Sequence, residues 1–538
     1  MKYIKIIPAA IMLISGVLSF GGCQKGDLID NPNVAGGNSL IPVSLILNHL
    51  TANLVRPTEE AWGDAYKYSQ YFNSNYQYYR GTNFYNWTNT ADTYDILKYA
   101  TALQAQSKSQ FSNPVNKYAA LAKFFKAYGA IWLSNRVGDI PFSQAVNPMI
   151  LKPKYDTQHD VFKQGLALLD SANTMMAAVG NGTAVLDANG DIFGLTNLQW
   201  QRVINTYRLR VLISLSKRAA DNADLNIPGQ FAAIVSNPTL YPIMTGNSDN
   251  MTYKYNAAFN PYPIKARGNQ PYNNFANMGK TFMDILTGSQ DPRTFLFATP
   301  APVQIAAAPL GNGKAVSDFT AYVGSDNNLS QTTVLFNNAA DSPTKPGQYS
   351  FANYNRYYTT ADGSTCEPLT VIGYAEMCFN IAEAINRGWV SGTSATWYLN
   401  GINASLKGYS LAEGQSLTVG DVNGKALGTV QISIARFLAN PAVVYNGDNA
   451  AGLAQILTQK YVSFFINSGY EAFYNNRRTG LAAFSQGGAA IGTVSGMIPR
   501  RWEYPAGEIS GNSANYQTAL TAQYSGTDDI SKDMWLTK

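Results

Sequence analysis

Histidine is nearly missing from this 538-residue chain, which has two, His49 and His159. A histidine-based catalytic triad would have to use one of them. His159 opens a helical pattern in a capping context and His49 lies in an apolar helical run, so both read as structural. Short catalytic and nucleotide motifs are missing too: no G-x-S-x-G, no phosphate-binding P-loop and no H-E-x-x-H zinc pair. Charged residues make up only 14%, and no dense Lys/Arg run occurs, so nucleic-acid binding is unsupported. Hydrophobic residues at 46% exclude a disordered chain. Beyond the first residues no apolar run is long enough to span a bilayer.

Cysteine is also scarce, at three residues. Cys23 follows a distinctive N-terminus: Lys2 and Lys5, the apolar run IIPAAIMLISGVLSF, then Gly21-Gly22. A positive region, an apolar region and small residues make a secretory signal. A Cys directly after small residues resembles a bacterial lipobox, cut before Cys23 and lipidated on its thiol, although Phe20 and Gly21 depart from the usual pattern. The alternative is an ordinary cleaved signal with an incidental Cys. On the lipobox reading, residues 1–22 are the signal peptide, Cys23 is the lipidation site, 23–40 are a Gly/Asn/Pro-bearing tether, and 41–538 are a single globule. Acyl chains would anchor the protein without threading it through the membrane. Cys366 and Cys378 would then be the only possible disulfide pair. A helix expected from Leu369 separates them too far to bridge, so both read as buried thiols.

What the chain does have is aromatic and amide-rich. It holds 34 Tyr and 8 Trp with abundant Gly, and loss of Lys2 and Lys5 would leave 37 basic against 34 acidic residues. That balance suits a surface that handles neutral polar ligands. Helical patterns dominate after Pro42. Tyr118, Leu121, Phe125, Tyr128 and Trp132 share one face of a helix expected over 116–135, ended by Gly138-Asp139 and Pro141. Further helices are expected over 158–176, capped by Thr157, and over 198–220, apolar on two faces. A helical pair is expected over 369–387 and 394–407, and another helix over 451–467. The pair has the length of a tetratricopeptide unit. Long irregular stretches intervene at 66–95, 177–197, 245–275, 300–365 and 408–430; loops of this length are uncommon unless they bind something. Residues 187–191 (DANGD) partly match the start of an EF-hand loop, but the Gly falls early and Leu198 stands where the closing Glu belongs; a turn is the better reading, with Ca²⁺ the alternative.

The stretch Tyr71–Trp87, YFNSNYQYYRGTNFYNW, is nearly half aromatic, with Asn, Gln, Ser, Thr and Gly between the rings. Tyr and Trp offer flat apolar area to the C–H face of a sugar, and neighbouring amides can hydrogen-bond its hydroxyls. Tyr68, Tyr71 and Phe72 continue a helical pattern from Trp62 and read as core. Past Asn73 the pattern fails, which makes Tyr76, Tyr78, Tyr79, Tyr85 and Trp87 the candidate ligand-binding residues, with Tyr262, Tyr272 and Tyr357 as the fallback. For any one of the five, simple wedging of the loop onto the helices is the competing reading.

Several segments taken in order resemble one family: KYAALAKFFKAYGAIWLSNRVGDIPFSQA (117–145), YDTQHDVFKQGLALLDSA (155–172), WQRVINTYRLRVLISLSKR (200–218), DPR (291–293), YAEMCFNIAEAINRGW (374–389), YEAFYNNRRTG (470–480) and IPRRWEYPAGEISGN (498–512). From about residue 40 to the end they look like the SusD/RagB family of nutrient-binding outer-membrane lipoproteins. The resemblance implies a mostly α-helical fold, with tetratricopeptide-like helix pairs as scaffold and a large irregular, loop-rich ligand-binding face. It implies no cofactor, no metal and no catalysis. It further implies a lipid anchor in the outer membrane facing the cell exterior, and delivery of oligosaccharide to a SusC-like TonB-dependent transporter. Gly138, Asp139, Pro141, Glu383, Arg477, Arg478, Pro499, Arg500, Arg501, Tyr504 and Pro505 are architectural on this reading, the arginines satisfying buried carbonyls and carboxylates. The competing functions are an extracellular glycoside hydrolase, whose paired carboxylates 34 acids could supply, and a member of the same family that binds peptide.

Overall fold

The computed structural model describes residues 40–538 apart from 75–93, 257, 259, 264–275, 339–344, 359–366 and 487–496. The described chain is mostly helical. The elements used below are α1 (Val43–Ala52), β1 (Phe72–Ser74), α2 (Tyr94–Gln110), α3 (Lys117–Val137), α4 (Gln158–Val179), α5 (Asn197–Ser214), α6 (Ile227–Ser236), β2 (Met251–Tyr253), β3 (Ala276–Met278), α7 (Lys280–Gly288), β4 (Leu369–Ile372), α8 (Tyr374–Asn386), α9 (Ser394–Gly408), β5 (Ser416–Gly420), β6 (Ala426–Gln431), α10 (Ala450–Ser463), α11 (Glu471–Thr479) and α12 (Ser513–Tyr524).

The helices pack in sequence: α2 on α3, α3 on α4, α4 on α5, then α8 on α9 and α10, with α5 lying against α8. Caps set their starts. Asn116 accepts from the Ala119 N–H, Thr157 from Asp160, and Thr196 with Gln199 forms a reciprocal capping box at α5. From Tyr118 on, α3 is buried on nearly every side, not on one face alone. Its alanines leave room for neighbours on the second side, and the glycine opposite Ile131 on α4 does the same: a Cβ on Gly165 would sit 2.9 Å from that side chain. The core then runs without a break from α1 to Leu536.

Several boundaries differ from the sequence reading. Leu369–Ile372 are a strand paired antiparallel with β2, not the first turn of a helix. Thr370, Val371 and Ile372 are β-branched and favour the extended chain, and Gly373 then starts α8. The helical pattern from Trp62 ends at Tyr68; Gln70 takes φ +55° and Phe72 joins β1. Tyr68, Tyr71 and Phe72 are nevertheless core, each almost fully buried. Helix α5 stops at Ser214 and passes into a single 3₁₀ turn, Ser216–Arg218. Helix α10 stops at Ser463, because Ile466 and Ser468 are left-handed. The stretch 408–430 contains most of the β5–β6 hairpin. Cys378 is a free buried thiol whose pKa burial pushes up to about 12; Cys366 lies outside the described residues.

The motif residues meet in space. Gly138, at φ +93°, ends α3. The Asp139 N–H donates to Gln523 Oε1 at 2.8 Å, the Tyr504 hydroxyl to the Asp139 carbonyl at 2.7 Å, and the Trp502 N–H to the Arg136 carbonyl at 2.8 Å. The C-terminal PRRWEYP segment therefore closes over the end of α3. Arg501, fully buried, pairs with Asp528 at 2.6 Å and lies 3.8 Å from the Tyr524 ring centroid. Arg478 grips Glu383 through both nitrogens, with Arg387 adding a third donor. Against the cost of burial, Arg478 and Arg387 hold the Glu383 carboxyl down at about 2. Arg477 and Arg500 each donate to the other's carbonyl, at 3.1 and 3.0 Å. These guanidinia are architectural, as their planar donor sets permit.

In the 187–191 turn, Asp187 accepts from the Asn189 and Gly190 amides and from Tyr118, and Asp191 accepts from the Phe193 and Leu195 amides and from Trp200 Nε1. Each carboxylate thus serves the protein's own donors. No group of three metal-ligating side chains occurs among the described residues.

Candidate ligand-binding site

Tyr76, Tyr78, Tyr79, Tyr85 and Trp87 lie outside the described residues, as do Cys23 and Tyr272. The structure does describe where their loop is rooted. Strand β1 pairs antiparallel with β3, with Phe72 opposite Met278 and Ser74 opposite Ala276. The described chain therefore ends at Ser74 directly opposite the point, Ala276, where it resumes. The roots of two further segments, and the other root of 264–275, stand close by. Gln70, just before β1, exchanges hydrogen bonds with the backbone of Ser485, at 2.9 and 2.8 Å. Tyr262 and Tyr358, the last residues but one before 264–275 and directly before 359–366, both contact Trp62.

Trp62 is the centre of this cluster. It stacks on Phe72 with centroids 4.9 Å apart, leans on Tyr358 at 4.8 Å, and donates from Nε1 to the Tyr262 hydroxyl at 3.0 Å. Tyr358 in turn stacks on Tyr354 at 5.5 Å and 11°, and Tyr262 meets Tyr255 edge-on at 5.0 Å. Phe72, Tyr255, Tyr262 and Tyr358 are buried, whereas Trp62 and Tyr354 are half-buried. The rings thus form a supported layer in which two members, Trp62 and Tyr354, keep part of their surface exposed.

The local backbone explains how Trp62 is held there. Gly63 packs so tightly that a Cβ on it would sit 2.4 Å from the Thr58 carbonyl oxygen. Trp62 itself takes φ +69°, a left-handed conformation that is costly for a bulky side chain, by about 1–3 kcal/mol. Such strain is stored where the surrounding structure over-determines it, and that happens most at ligand sites. The chemistry of the cluster is apolar ring faces edged by phenol hydroxyls and amides. Tyr253 beside it donates to Asn260 at 3.1 Å, and burial raises its pKa to about 12, so it stays a neutral donor. The two histidines are elsewhere: His49 packs on Tyr99, and His159 bonds Asp160 and Asp224.

Of the fallback tyrosines, Tyr262 belongs to the cluster, while Tyr357 is fully buried against Phe465 and is core. Trp62, Tyr354 and Tyr358 were not among the sequence candidates. The signals for them are slight: a Trp directly before a Gly in AWGD, and the paired tyrosines of NRYY.

The comparisons with known proteins agree with this architecture. No curated protein matches the sequence. A SusD homologue from Bacteroides fragilis superposes with a TM-score of 0.78 at 27% identity, over 92% of this chain and 100% of that one. A second SusD homologue from the same species gives 0.73 at 28% identity, over 92% and 99%. A chitin-binding SusD homologue from Flavobacterium johnsoniae shares the fold at 0.62 and 18% identity, over 92% and 97%. The model of the SusD-like family, described as starch-binding and associating with the outer membrane, matches residues 38–505. The chain belongs to the SusD-like family.

Proposed function

We propose that the protein is a non-catalytic, lipid-anchored nutrient-binding protein of the outer membrane, which holds oligosaccharide at the cell exterior and passes it to a SusC-like TonB-dependent transporter. The ring layer under the roots of 75–93 and 264–275 is the observation that carries this reading. Stacked rings with hydroxyls at their edges complement the apolar face and polar rim of a sugar. In this reading Trp62 and Tyr354 form the fixed floor, and Tyr76, Tyr78, Tyr79, Tyr85 and Trp87 supply further stacking surfaces from the loop. Residues 1–22 are the signal peptide, Cys23 carries the lipid, 23–40 are the tether, and 41–538 form one globule. No helix among the described residues is long and apolar enough to cross a membrane, which agrees with anchoring by acyl chains. No cofactor is required.

The test is calorimetric titration of the purified protein with starch- and chitin-derived oligosaccharides and with peptides of similar length, followed by chromatography of the incubated ligands. Binding of an oligosaccharide, returned intact, supports the proposal. Breakdown products would make the protein a glycoside hydrolase, and affinity for peptides alone would change the ligand class.

A further inference from the structure

A cavity of about 270 Å³ lies among the β2–β4 ribbon, the first turn of α8, the last turn of α9 and the segment after α10. It shares no lining residue with the ring layer around Trp62. Its wall is rigid. The Tyr409 hydroxyl donates to the Phe465 carbonyl at 2.9 Å and accepts from Asn467 Nδ2 at 2.9 Å, and Asn467 Oδ1 accepts the Thr370 N–H at 2.8 Å. Tyr409 and Phe464 supply aromatic surface to the lining.

Other lining groups keep unspent hydrogen-bonding capacity among the described residues. Asn250 caps α8 by accepting the Tyr374 N–H at 2.8 Å, which leaves its amide NH₂ over. The Thr370 hydroxyl has no protein partner, and Glu367 spends one carboxylate oxygen on Arg356 at 2.7 Å and keeps the other. Lys407, exposed on the last turn of α9, makes no ion pair among the described residues. These are donors and acceptors in a mixture, which is what a hydroxyl needs, since it both donates and accepts. The two carboxylates in the wall, Glu367 and Glu376, are each matched by an arginine, Arg356 and Arg210, which disfavours a cation, and the charge of Lys407 is exposed to solvent.

We infer that this cavity is a second binding site and takes a single neutral sugar ring, or a polyol of that size. Its volume falls just below the roughly 300 Å³ at which pockets for larger organic ligands begin, so it suits one ring and not a chain. The inference stands on the cavity and does not need the Trp62 layer to bind glycan.

The test is saturation-transfer NMR and titration with glucose, galactose, mannose and N-acetylglucosamine, with glucuronate as the acidic counterpart. Ala375→Phe fills the cavity from the half-buried first turn of α8, and Thr370→Val removes one hydroxyl without changing shape. Each cavity variant is also made in a Trp62→Ala background, where sugar held at the ring layer no longer contributes to the signal. At least one neutral sugar should bind, more than tenfold more weakly in Ala375→Phe and about threefold to tenfold more weakly in Thr370→Val, with the same fold losses in the Trp62→Ala background. Circular dichroism melts report whether each variant is folded; if Ala375→Phe is not, Thr370→Val decides. The inference is overturned if no neutral sugar binds, if glucuronate alone binds, or if folded cavity variants bind as well as wild type.

Discussion

The hydroxyl of Tyr504 donates to the backbone carbonyl of Asp139 at 2.7 Å, joining positions 365 residues apart in the chain. Two short motifs, GDIPF and PRRWEYP, are therefore halves of one joint. Tyr504→Phe keeps the ring and removes the donor, leaving a buried carbonyl with one partner fewer. Stability should fall by about 1 kcal/mol with oligosaccharide affinity unchanged, read from denaturant melts beside titrations. A change in affinity alone would remove the joint from the scaffold.

Arg501 and Arg478 should behave as scaffold more strongly. Either residue changed to Ala removes a buried guanidinium from its carboxylate, leaving the half-buried Asp528 without it or Glu383 with Arg387 alone, and a broken buried pair costs about 3–5 kcal/mol. The melting temperature should drop sharply, while affinity measured where the variant is still folded stays within about twofold. Lost binding at unchanged stability would instead put these arginines at the ligand.

Asp139 gives the molecule a pH dependence with an unusual sign for a carboxylate. Burial raises its pKa from the usual carboxylate range to about 7, with the Gln158 amide opposing and Asp160 reinforcing the shift. Between about pH 4 and 7 the folded chain holds a proton there that the unfolded chain has released. That stabilising contribution is complete below pH 4 and is lost as pH rises through 7. Asp139→Asn, which cannot ionise, should flatten the fall in melting temperature over this window. An identical slope in the variant would assign the dependence to other groups.

At the ligand layer, Trp62→Ala should weaken oligosaccharide binding at least tenfold, roughly 1.4 kcal/mol. Among Tyr76, Tyr78, Tyr79, Tyr85 and Trp87, at least two alanine variants should do the same with an unaltered melt. If all six retain wild-type affinity for a ligand shown to bind, the rings are packing and the glycan sits elsewhere.

The anchor is tested by Cys23→Ala. This variant should take up no labelled fatty acid and should leave the membrane fraction. Continued labelling and membrane association would return Cys23 to an incidental position after an ordinary signal.

The helical scaffold was readable because its stripes recur at three and four residues and because Thr157, one residue before the helix it starts, is a sequence-local cap. The strand 369–372 was not, since a short apolar run continuing into a helical stripe has no period of its own. The motif arginines could be given a scaffold role but not partners, because Asp528, Glu383 and the carbonyls they serve are distant or unremarkable in sequence. The binding floor was least legible. Trp62 sits in a stretch that looks helical, and its left-handed backbone and its contacts with Phe72, Tyr262 and Tyr358 have no local pattern in the sequence.

That pairing has a consequence for how such a protein changes over generations. Segments 75–93 and 264–275 are joined to the two ends of one rung of a three-residue ribbon, Ser74 and Ala276. Insertions, deletions or wholesale replacement in either one leave Phe72–Met278 and the helices behind them undisturbed. If the proposed site is right, appetite for a new nutrient is acquired by rewriting two inserts on an inherited frame, as a socket accepts different tools.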